Sequence, residues 1–262
     1  MDMSKKLLGA EHPETLRSMA NLANTYGHQG RWNEEELLQI QVMDMMRMLL
    51  GAEHPDTLNS MADLAVTYWN QGRWNETEHI LIQVIDMSKK VLGAEHPETL
   101  RRMANLANTY YKQRRWNEAE QLMAQIMDMR RMLLGAEHPD TLNSMVNLGV
   151  IYSRQRRWNE AEQLQIQAMV LTKKILGADH PETISSMANL AVTYWHQGRW
   201  NEAERIQIQV MDMSMKVLGA EHPNTLTYME NLADIYSDQG RIYESEMLKL
   251  KVMNIKISKG RN

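Results

Sequence analysis

The chain has 262 residues, a formal net charge of −4 and no cysteine. The lack of cysteine excludes disulfides and thiolate metal sites, and the acidic balance argues against non-specific nucleic-acid binding by the whole chain. No stretch of the sequence approaches the roughly 18 consecutive apolar residues of a membrane span. We expect a cytoplasmic protein with no membrane partner and no nucleic-acid partner.

The sequence repeats with a period of 42 residues. All six prolines follow this spacing: Pro13, Pro55, Pro97, Pro139, Pro181 and Pro223. A period of about 20–50 residues is typical of an array of stacked structural units. The sequence predicts a single array over 1–262, with a partial helix from a preceding repeat at 1–11, repeats at 12–53, 54–95, 96–137, 138–179 and 180–221, and a capping repeat at 222–262.

The two ends of the array differ from its interior. Residues 1–13 nearly copy residues 211–223, which indicates repeat material rather than a signal peptide and favours a fragment of a longer array. In the last repeat Ile242 stands where the other repeats have Trp, and Lys residues crowd the end. Because a terminal repeat needs a solvated outer face, we interpret this repeat as a cap.

Each repeat is predicted to begin with a helix. It opens His-Pro-acid-Thr-Leu, as in residues 54–58. Pro suits the first helical position, and the acid favours the positive end of the helix. The helix should run to Gln29 and its equivalents, where Gly30 and its equivalents would supply a left-handed cap. Arg114 and Arg156 replace this glycine, and each should lower the free energy of unfolding by about 1 kcal/mol.

A second helix is predicted after a three-residue turn. The pattern Asn-x-x-Glu, as in Asn33 to Glu36, resembles a capping box with Asn as the N-cap. The helix would then run for about 18 residues, with Trp32 at its start wedged between neighbouring helix pairs. Nothing in the sequence alternates with period 2, so strands are not expected.

Helical spacing places Met19, Leu22 and Tyr26 on one face of the first helix, and these residue types recur in all six repeats. The small residue after the Leu, Ala23, would let the second helix approach closely. The run at 189–204, Asn-Leu-Ala-x-x-Tyr-x-x-Gln-Gly-Arg-Trp-Asn-Glu-Ala-Glu, resembles the tetratricopeptide (TPR) signature. The period and the Leu-Gly-x-x-His-Pro junction resemble the kinesin-light-chain subclass and the near-identical arrays of fungal NLR-like signalling NTPases.

This resemblance implies an all-α, right-handed superhelical solenoid of six two-helix repeats. In such families the array is a non-catalytic scaffold, often the sensor region of a larger protein, and its first helices line a concave groove that holds extended peptides. Armadillo and HEAT arrays have a similar period. However, an armadillo unit would need a third helix and lacks this Tyr and Trp pattern.

The chemistry-bearing residues favour no catalysis and no cofactor. Six of the nine His recur in the His-Pro junction, so we assign them to capping or packing. The others, His28, His79 and His196, have no metal-ligating partner at i+3 or i+4, and no phosphate-binding glycine motif is present. Of the 23 Met, Met19 and its five equivalents recur in register, as do Met43, Met127, Met169, Met211 and Met253, which favours filling of the core over a promiscuous Met-rich groove.

Positions that vary while the scaffold stays constant are the candidate binding residues. They form one stripe of the first helix, opposite the Met-Leu-Tyr face. Asn amides could hold a peptide backbone, and aromatic residues could bury its side chains. The predicted groove consists of Arg17, Asn21, Asn24, Asn59, Asp63, Trp69, Arg101, Asn105, Asn108, Tyr111, Asn143, Asn147, Asn189 and Trp195. Alternatively, the Asn residues join neighbouring helices and the variation is drift on a solvated face.

A second candidate surface is basic. Charge is concentrated at the first-helix ends and turns of repeats three and four, in Lys112, Arg114, Arg115, Arg154, Arg156 and Arg157. This patch could meet an acidic ligand or another part of a parent protein, or be a solvated edge without a role. We expect a protein or peptide partner of unknown identity; the alternative is a structural module that associates with itself end to end.

Overall fold

The computed structural model describes Gly9 and residues 11–259, and all regular structure in that part of the chain is helical. The partial helix predicted over 1–11 lies, apart from Gly9 and Glu11, outside the described residues. The helices, numbered α1 to α12, are Pro13–His28, Trp32–Leu50, Pro55–Asn70, Trp74–Val91, Pro97–Lys112, Trp116–Leu134, Pro139–Arg154, Trp158–Leu176, Pro181–His196, Trp200–Val217, Pro223–Asp238 and Ile242–Lys259. This alternation confirms the all-α fold of six two-helix units.

The first helix of every pair begins at the His-Pro junction. His12 is the N-cap of α1, and its Nδ1 accepts a hydrogen bond from the backbone N–H of Glu14 at 3.2 Å. The same bond recurs in all six first helices. It satisfies one of the free N–H groups at the helix start, and Pro at the next position has no N–H to satisfy. The structural assignment of these six His is confirmed.

The turn between the two helices is a Schellman motif. The Arg31 N–H donates to the Tyr26 carbonyl at 2.9 Å, and the Gly30 N–H donates to the Gly27 carbonyl at 2.9 Å, which is the bonding pattern of that motif. Gly30 has a φ of 72°. Arg114 makes the equivalent bond and has a φ of 62°. The left-handed conformation predicted for Arg114 and Arg156 is therefore confirmed.

The capping box predicted for the second helix is wrong. Helix α2 starts at Trp32, so Arg31 is the N-cap, and it makes no side-chain capping bond. The same holds at the start of α4, α8 and α10. The Arg31 guanidinium instead bonds Glu34 through Nε and Nη2 at 2.9 and 2.7 Å. The Glu that was assigned to the box faces the next repeat.

By Cα packing the chain divides into two units, 1–126 and 127–262. In the first unit each helix packs on the next from α1 to α5. Its core contains side chains from both helices of a pair and from the second helix of the preceding pair. For example, Leu58 and Met61 of α3 and Val84 of α4 form a buried cluster, and Met43 of α2 packs against it. This arrangement explains why Met recurs in register, because Met fills the space between successive pairs.

The second unit repeats this packing from α7 to α12. Met211 of α10 packs against Leu226 and Met229 of α11, together with Val252 of α12. The small residue after the Leu is fully buried, and at Gly149 an added Cβ would lie 2.9 Å from the Gln165 side chain. The second helix therefore approaches closely at that position, as the small residue predicts.

An ion-paired contact, which we call the turn joint, links successive helix pairs within each unit. Glu36 of α2 accepts a hydrogen bond from Gln71 Nε2 at 2.8 Å and from Arg73 Nη1 at 2.9 Å. The Arg73 guanidinium also lies 4.0 Å from the ring centroid of Tyr68. Equivalent joints in the described units are Glu78–Gln113–Arg115, Glu162–Gln197–Arg199 and Glu204–Gln239–Arg241. Partial burial raises the pKa of Glu36, but the bonds from Gln71 and Arg73 outweigh it and hold the pKa below its usual value.

The last helix, α12, exposes both charged and apolar side chains. Lys249 and Lys256 fold back to Asp234 and Glu230 of α11, at 3.0 and 2.7 Å. Leu250 and Met253 are exposed between the two lysines, and Tyr243 near the helix start has 75% of its surface accessible. The two lysines are thus paired within their own helix pair.

Candidate functional site

The predicted groove residues lie on the first helices and are accessible. Nine of them are on α1, α3 and α5 and form part of the first unit, with Tyr111 beside them at the end of α5; the remainder are on α7 and α9 in the second unit. Asn21, Asn24 and Asn59 are exposed, whereas Asp63, Asn105 and Asn108 are half-buried. The predicted stripe therefore exists as two surfaces, one in each unit, which are described separately below.

In the first unit, three predicted groove residues line one cavity. Trp69 of α3 and Asn105 and Asn108 of α5 surround a space of about 270 Å³, with the buried Leu81 of α4 behind it. We call this the Trp69 cavity. Its other lining residues are Ala65, Val66, Asn70 and Thr77. An indole and aliphatic side chains thus share one concave surface with two carboxamides.

The Trp69 ring is held by its neighbours. Trp74 meets it edge-on with 5.4 Å between ring centroids, and Lys112 Nζ lies 5.4 Å from its centroid. Both contacts are favourable for an aromatic ring. Trp69 is consequently oriented before any ligand arrives, which lowers the entropic cost of binding.

The second unit has a more polar counterpart. Asn143 and Asn147 of α7, Thr172 of α8 and Ser185 of α9 line a space of about 210 Å³. The two carboxamides are already bonded to each other, since Asn147 Nδ2 donates to Asn143 Oδ1 at 2.9 Å. This space has no aromatic residue, and its apolar lining comes from Leu142 and Val146.

Several predicted groove residues serve the scaffold instead, as the alternative interpretation of the Asn ladder proposed. Asn59 Oδ1 accepts a hydrogen bond from Arg102 Nη2 at 2.7 Å. Asn24 Oδ1 accepts one from Gln39 of α2 at 3.3 Å. Arg102 is only 1% exposed, and burial lowers its pKa. The Asn59 Oδ1 thus serves as a partner for this buried charge rather than as a free acceptor for a peptide backbone.

Trp195 is also tied to the scaffold. Its Nε1 donates to Asp238 of α11 at 2.7 Å, and its ring stacks on His196 with 4.8 Å between centroids. His196 in turn stacks on Trp158 of the preceding pair. Burial lowers the pKa of His196, as do Arg154 and Arg156 nearby. Trp195 thus joins neighbouring repeats through a hydrogen bond and ring stacking, whereas Trp69 meets the next repeat through the cation–π contact with Lys112.

The predicted basic patch is divided between the two units, and two of its members already have carboxylate partners. Arg115 belongs to a turn joint and bonds Glu78 and Glu118. Arg157 bonds Glu160. Lys112 lies against Trp69, whereas Arg114 and Arg156 are exposed at their turns. The carboxylates that bond Arg115 and Arg157 offset part of the positive charge within each unit, and the patch as a ligand-binding surface stays a prediction.

The Trp residues at the second-helix starts differ in their contacts. Trp74 and Trp116 meet aromatic rings of their own helix pair, Trp69 and Tyr111. Trp158 stacks on a residue of the following pair, His196. The wedge predicted between repeats is thus seen at Trp158.

Sequence reasoning missed the turn joints and a buried carboxylate. The joint had a visible signal, since Glu precedes its Gln by 35 and its Arg by 37 residues in each described joint. Glu35 of α2 is buried beneath Gly27, at a position where the third, fourth and fifth repeats carry Ala. Burial raises the pKa of Glu35, and its Oε2 has no hydrogen-bond partner within the described residues. Gly27 leaves the space that Glu35 occupies.

Searches of the described residues for a metal site and for a membrane-spanning helix gave negative results. No group of three or more His, Asp or Glu side chains is placed to hold a metal ion. No described helix combines the length and the apolar character that crossing a membrane requires.

Comparison with known families settles the fold assignment. A tetratricopeptide repeat profile matches residues 63–132, 102–169, 140–213 and 187–258, and a second one matches residues 15–56. The chain belongs to the tetratricopeptide repeat family. TPR folds are in general non-catalytic scaffolds, and this chain is a TPR scaffold.

Solved structures show which TPR proteins it resembles. A protein of Podospora anserina, described as a putative kinesin light chain with nearly identical TPR-like repeats, is 32% identical; the match covers 78% of this chain and 97% of that chain, with a TM-score of 0.70. The resemblance to kinesin-light-chain-like repeats is thereby confirmed. No curated protein matches the chain.

More distant structures share the fold alone. A signal transduction ATPase with a tetratricopeptide repeat sensor from Pyrococcus horikoshii is 11% identical, with 97% of this chain and 38% of that chain covered and a TM-score of 0.73. A Rap protein complexed with competence and sporulation factor is 11% identical, with 99% and 84% covered and a TM-score of 0.61.

Proposed function

We propose that this TPR scaffold binds an extended protein segment on its first-helix surface, with the Trp69 cavity as the principal subsite. The observation that carries the proposal is the joint lining of that cavity by Trp69, Asn105 and Asn108. An apolar side chain of the segment would enter against Trp69 and Val66. The two carboxamides, which both donate and accept, would bond the backbone on either side of it.

The size of the cavity favours a side chain over a small molecule. Sites for metabolites and drugs usually enclose roughly 300–1,000 Å³ and bury most of the ligand, whereas the Trp69 cavity holds about 270 Å³ and is open on one side. A chain passing over the opening can place one residue inside and keep the rest on the surface. The known complex of a Rap protein with competence and sporulation factor is consistent with this use of the fold.

The wider role that we propose is recognition within a larger protein. The tetratricopeptide array of the P. horikoshii ATPase is a sensor that occupies part of a longer chain. By analogy of fold, the present array would supply the ligand-binding region of such a protein, and the polar space between Asn143 and Ser185 would make secondary contacts with the same ligand class.

Selection from a peptide library tests the binding proposal. For the selected peptides, Trp69→Ser should weaken affinity by about 30-fold, the size of an aromatic hot spot of about 2 kcal/mol. Asn105→Ala with Asn108→Ala should weaken unrelated peptides alike, because backbone contacts carry no sequence information. Trp200→Ala, at an exposed Trp that lines no described cavity, is the matched control and should leave affinity unchanged.

The serine variant is chosen because the array itself places Ser153 and Ser237 at the corresponding positions. It should therefore fold. Selected peptides whose affinity is indifferent to Trp69 and to the two Asn residues would refute the proposed site.

A further inference from the structure

The polar space in the second unit lies at a junction between two helix pairs. Asn143, Glu182 and Ser185 are exposed and form its mouth, whereas Thr172 and Ser186 are buried and form its floor. We call this space of about 210 Å³ the Thr172 cavity. At two other junctions the corresponding space is filled by an arginine of the chain itself.

The first of these arginines is Arg102 of α5, in the first unit. Its side chain is only 1% exposed. Its Nη2 donates to Asn59 Oδ1 of α3 at 2.7 Å, and its Nη1 donates to Ser88 Oγ of α4. The Ser88 hydroxyl gives its own hydrogen to the Val84 carbonyl, so its lone pairs receive the guanidinium. Oxygen atoms from two helices thus bind a guanidinium that a third helix supplies.

A carboxylate lies beside the same guanidinium. Glu98 of α5 attracts Arg102 electrostatically. It also bonds the guanidinium of Arg101 at 2.7 Å. One carboxylate therefore balances the charges of two neighbouring arginines in the first unit.

The Thr172 cavity has the same acceptors but lacks both arginines. Each acceptor of the first unit has an equivalent two repeats later: Asn143 for Asn59, Thr172 for Ser88 and Glu182 for Glu98. Ser185 and Ser186 stand where the first unit has Arg101 and Arg102. The residues that bind a guanidinium are thus retained, whereas the side chains that supply it are replaced by short ones.

The oxygen atoms of the cavity are able to accept hydrogen bonds. Thr172 Oγ1 donates to the Ala168 carbonyl at 2.6 Å, and Ser186 Oγ donates to the Glu182 carbonyl at 2.9 Å. Because each hydroxyl has a single hydrogen, both present lone pairs to the cavity. Asn143 Oδ1 accepts one bond, from Asn147, and has a second lone pair. The Glu182 carboxylate has no hydrogen-bond or ion-pair partner among the described residues.

A second arginine reaches the equivalent space one repeat earlier in the same unit. Arg130 of α6 stands at the position of Thr172, and its Nη1 donates to Ser144 Oγ at 2.9 Å and to the Asp140 carbonyl at 3.1 Å. Ser144 is the equivalent of Ser186. The arginine comes from a second helix here and from a first helix at Arg102. The space therefore suits a guanidinium whichever helix supplies it.

We propose that the Thr172 cavity binds the guanidinium of an arginine side chain of the ligand. Its N–H groups donate to Thr172 Oγ1 and Asn143 Oδ1, and the Glu182 carboxylate balances its charge. A guanidinium presents five N–H donors in a planar fork, whereas a lysine ammonium is a compact point charge with three. The cavity therefore selects arginine over lysine. This inference rests on the proposed function only in taking the ligand to be a protein segment.

Titration of the full chain with N-acetyl-arginine amide tests the cavity directly. The backbone amide resonances of Thr172, Ser185 and Ser186 are followed by ¹⁵N nuclear magnetic resonance. The lysine analogue keeps the charge without the fork, and the citrulline analogue keeps the shape without the charge. The arginine probe should shift these resonances until they saturate, and it should bind about tenfold more tightly than either analogue, the effect of one charge-assisted hydrogen bond.

Two variants show whether the probe enters the cavity. Ser186→Arg should fill the space as Arg102 does and abolish binding of the probe. Glu182→Gln, at an exposed position, keeps the fold and should weaken binding about tenfold. Glu98→Gln is the matched control, since Arg102 already occupies that site, and it should leave binding unchanged. Circular dichroism checks the helix content of each variant.

Equal binding of the three probes, no binding of the arginine probe, or binding that is indifferent to Glu182→Gln would overturn the proposal. The site and the proposed function fail separately, because the Trp69 cavity belongs to the other unit. If the arginine probe does not bind although selected peptides depend on Trp69, the arginine site alone is refuted. If the probe binds as expected but selected peptides are indifferent to Trp69, the Trp69 subsite alone is refuted.

Discussion

The turn joints and the first-helix surface differ in how much their side chains change along the chain. Every described joint uses the same three residue types, with Glu36, Gln71 and Arg73 as the first example. On the first-helix surface the position of Trp69 is occupied by Gly27 in one repeat and by Ser153 in another. The joints must fit a neighbouring repeat, whereas the surface positions face solvent. The scaffold therefore has a constant part, which consists of the turn joints and the buried core and which we call the frame. The candidate binding residues are variable positions on its surface.

The difference is not complete, because some variable positions are coupled to the helix behind them. Gly27 leaves room for the buried Glu35. Ser153 accepts a hydrogen bond from Gln165 at 3.3 Å. Trp195 bonds Asp238. At Trp69 the described contacts are with the Trp74 ring and with Lys112, and no hydrogen bond fixes the residue type, so this position can vary more freely.

The adjacent pair Tyr68 and Trp69 gives the largest expected contrast. Tyr68→Ala removes an aromatic ring that packs in the frame and supports the Arg73 guanidinium, and should destabilise the array by about 3 kcal/mol. Trp69→Ser should cost less than half of that. Urea unfolding followed by circular dichroism measures both. Equal losses would show that the surface position belongs to the frame.

The turn joint is the second test. Glu78→Ala leaves the half-buried Gln113 and Arg115 without their shared acceptor and should cost about 2 kcal/mol. The same substitution at Glu246, which has no hydrogen-bond or ion-pair partner among the described residues, should change stability by less than about 0.5 kcal/mol. Thermal unfolding compares the two variants. A similar loss at both positions would refute the role of the joint.

Substitution of Glu35 should have a smaller effect on stability, and it should stabilise rather than destabilise the protein. Because burial raises its pKa in the folded state, the charged form destabilises the protein at neutral pH, and Glu35→Gln should stabilise by about 1 kcal/mol. The gain should shrink as the pH falls through the raised pKa, since protonation then removes the charge from the original side chain too. Unfolding curves at several pH values measure this trend. A gain that is independent of pH would exclude the electrostatic explanation.

Arg114→Gly should have the smallest effect. Arg114 has a φ of 62° in a turn where Gly stands in four other repeats, so replacement should stabilise by several tenths of a kcal/mol up to about 1 kcal/mol. Differential scanning calorimetry can detect the shift. A loss of stability would mean that the Arg114 side chain makes a compensating contact.

The local features of the fold could be predicted from the sequence, because their causes lie within a few residues of each other. The His-Pro start, the left-handed Arg114 and the buried Met-Leu-Tyr face are all of this kind. The second-helix start was predicted wrongly, since Asn33 and Glu36 have the spacing of a capping box although Glu36 bonds residues 35 and 37 positions further on. A local pattern cannot distinguish these two uses of the same Glu.

The candidate site was predictable in part for the same reason. Trp69, Asn105 and Asn108 were recognised as variable first-helix positions, and they line one cavity. The engagement of Asn59 by Arg102 and of Trp195 by Asp238 depends on pairs 43 residues apart. Only packing of successive repeats shows which exposed polar residues remain free.

The most direct test of the central claim, that a ligand binds at variable surface positions while the frame stays unchanged, is the indole N–H spectrum of the seven Trp residues. It can be recorded by ¹⁵N nuclear magnetic resonance with and without a selected peptide. The resonance that disappears in Trp69→Ser should shift most, followed by that of Trp74, whose ring touches Trp69, while Trp200 should not move. The account would be contradicted by a peptide that binds and shifts the indole resonance of Trp200 while the resonance of Trp69 stays unchanged.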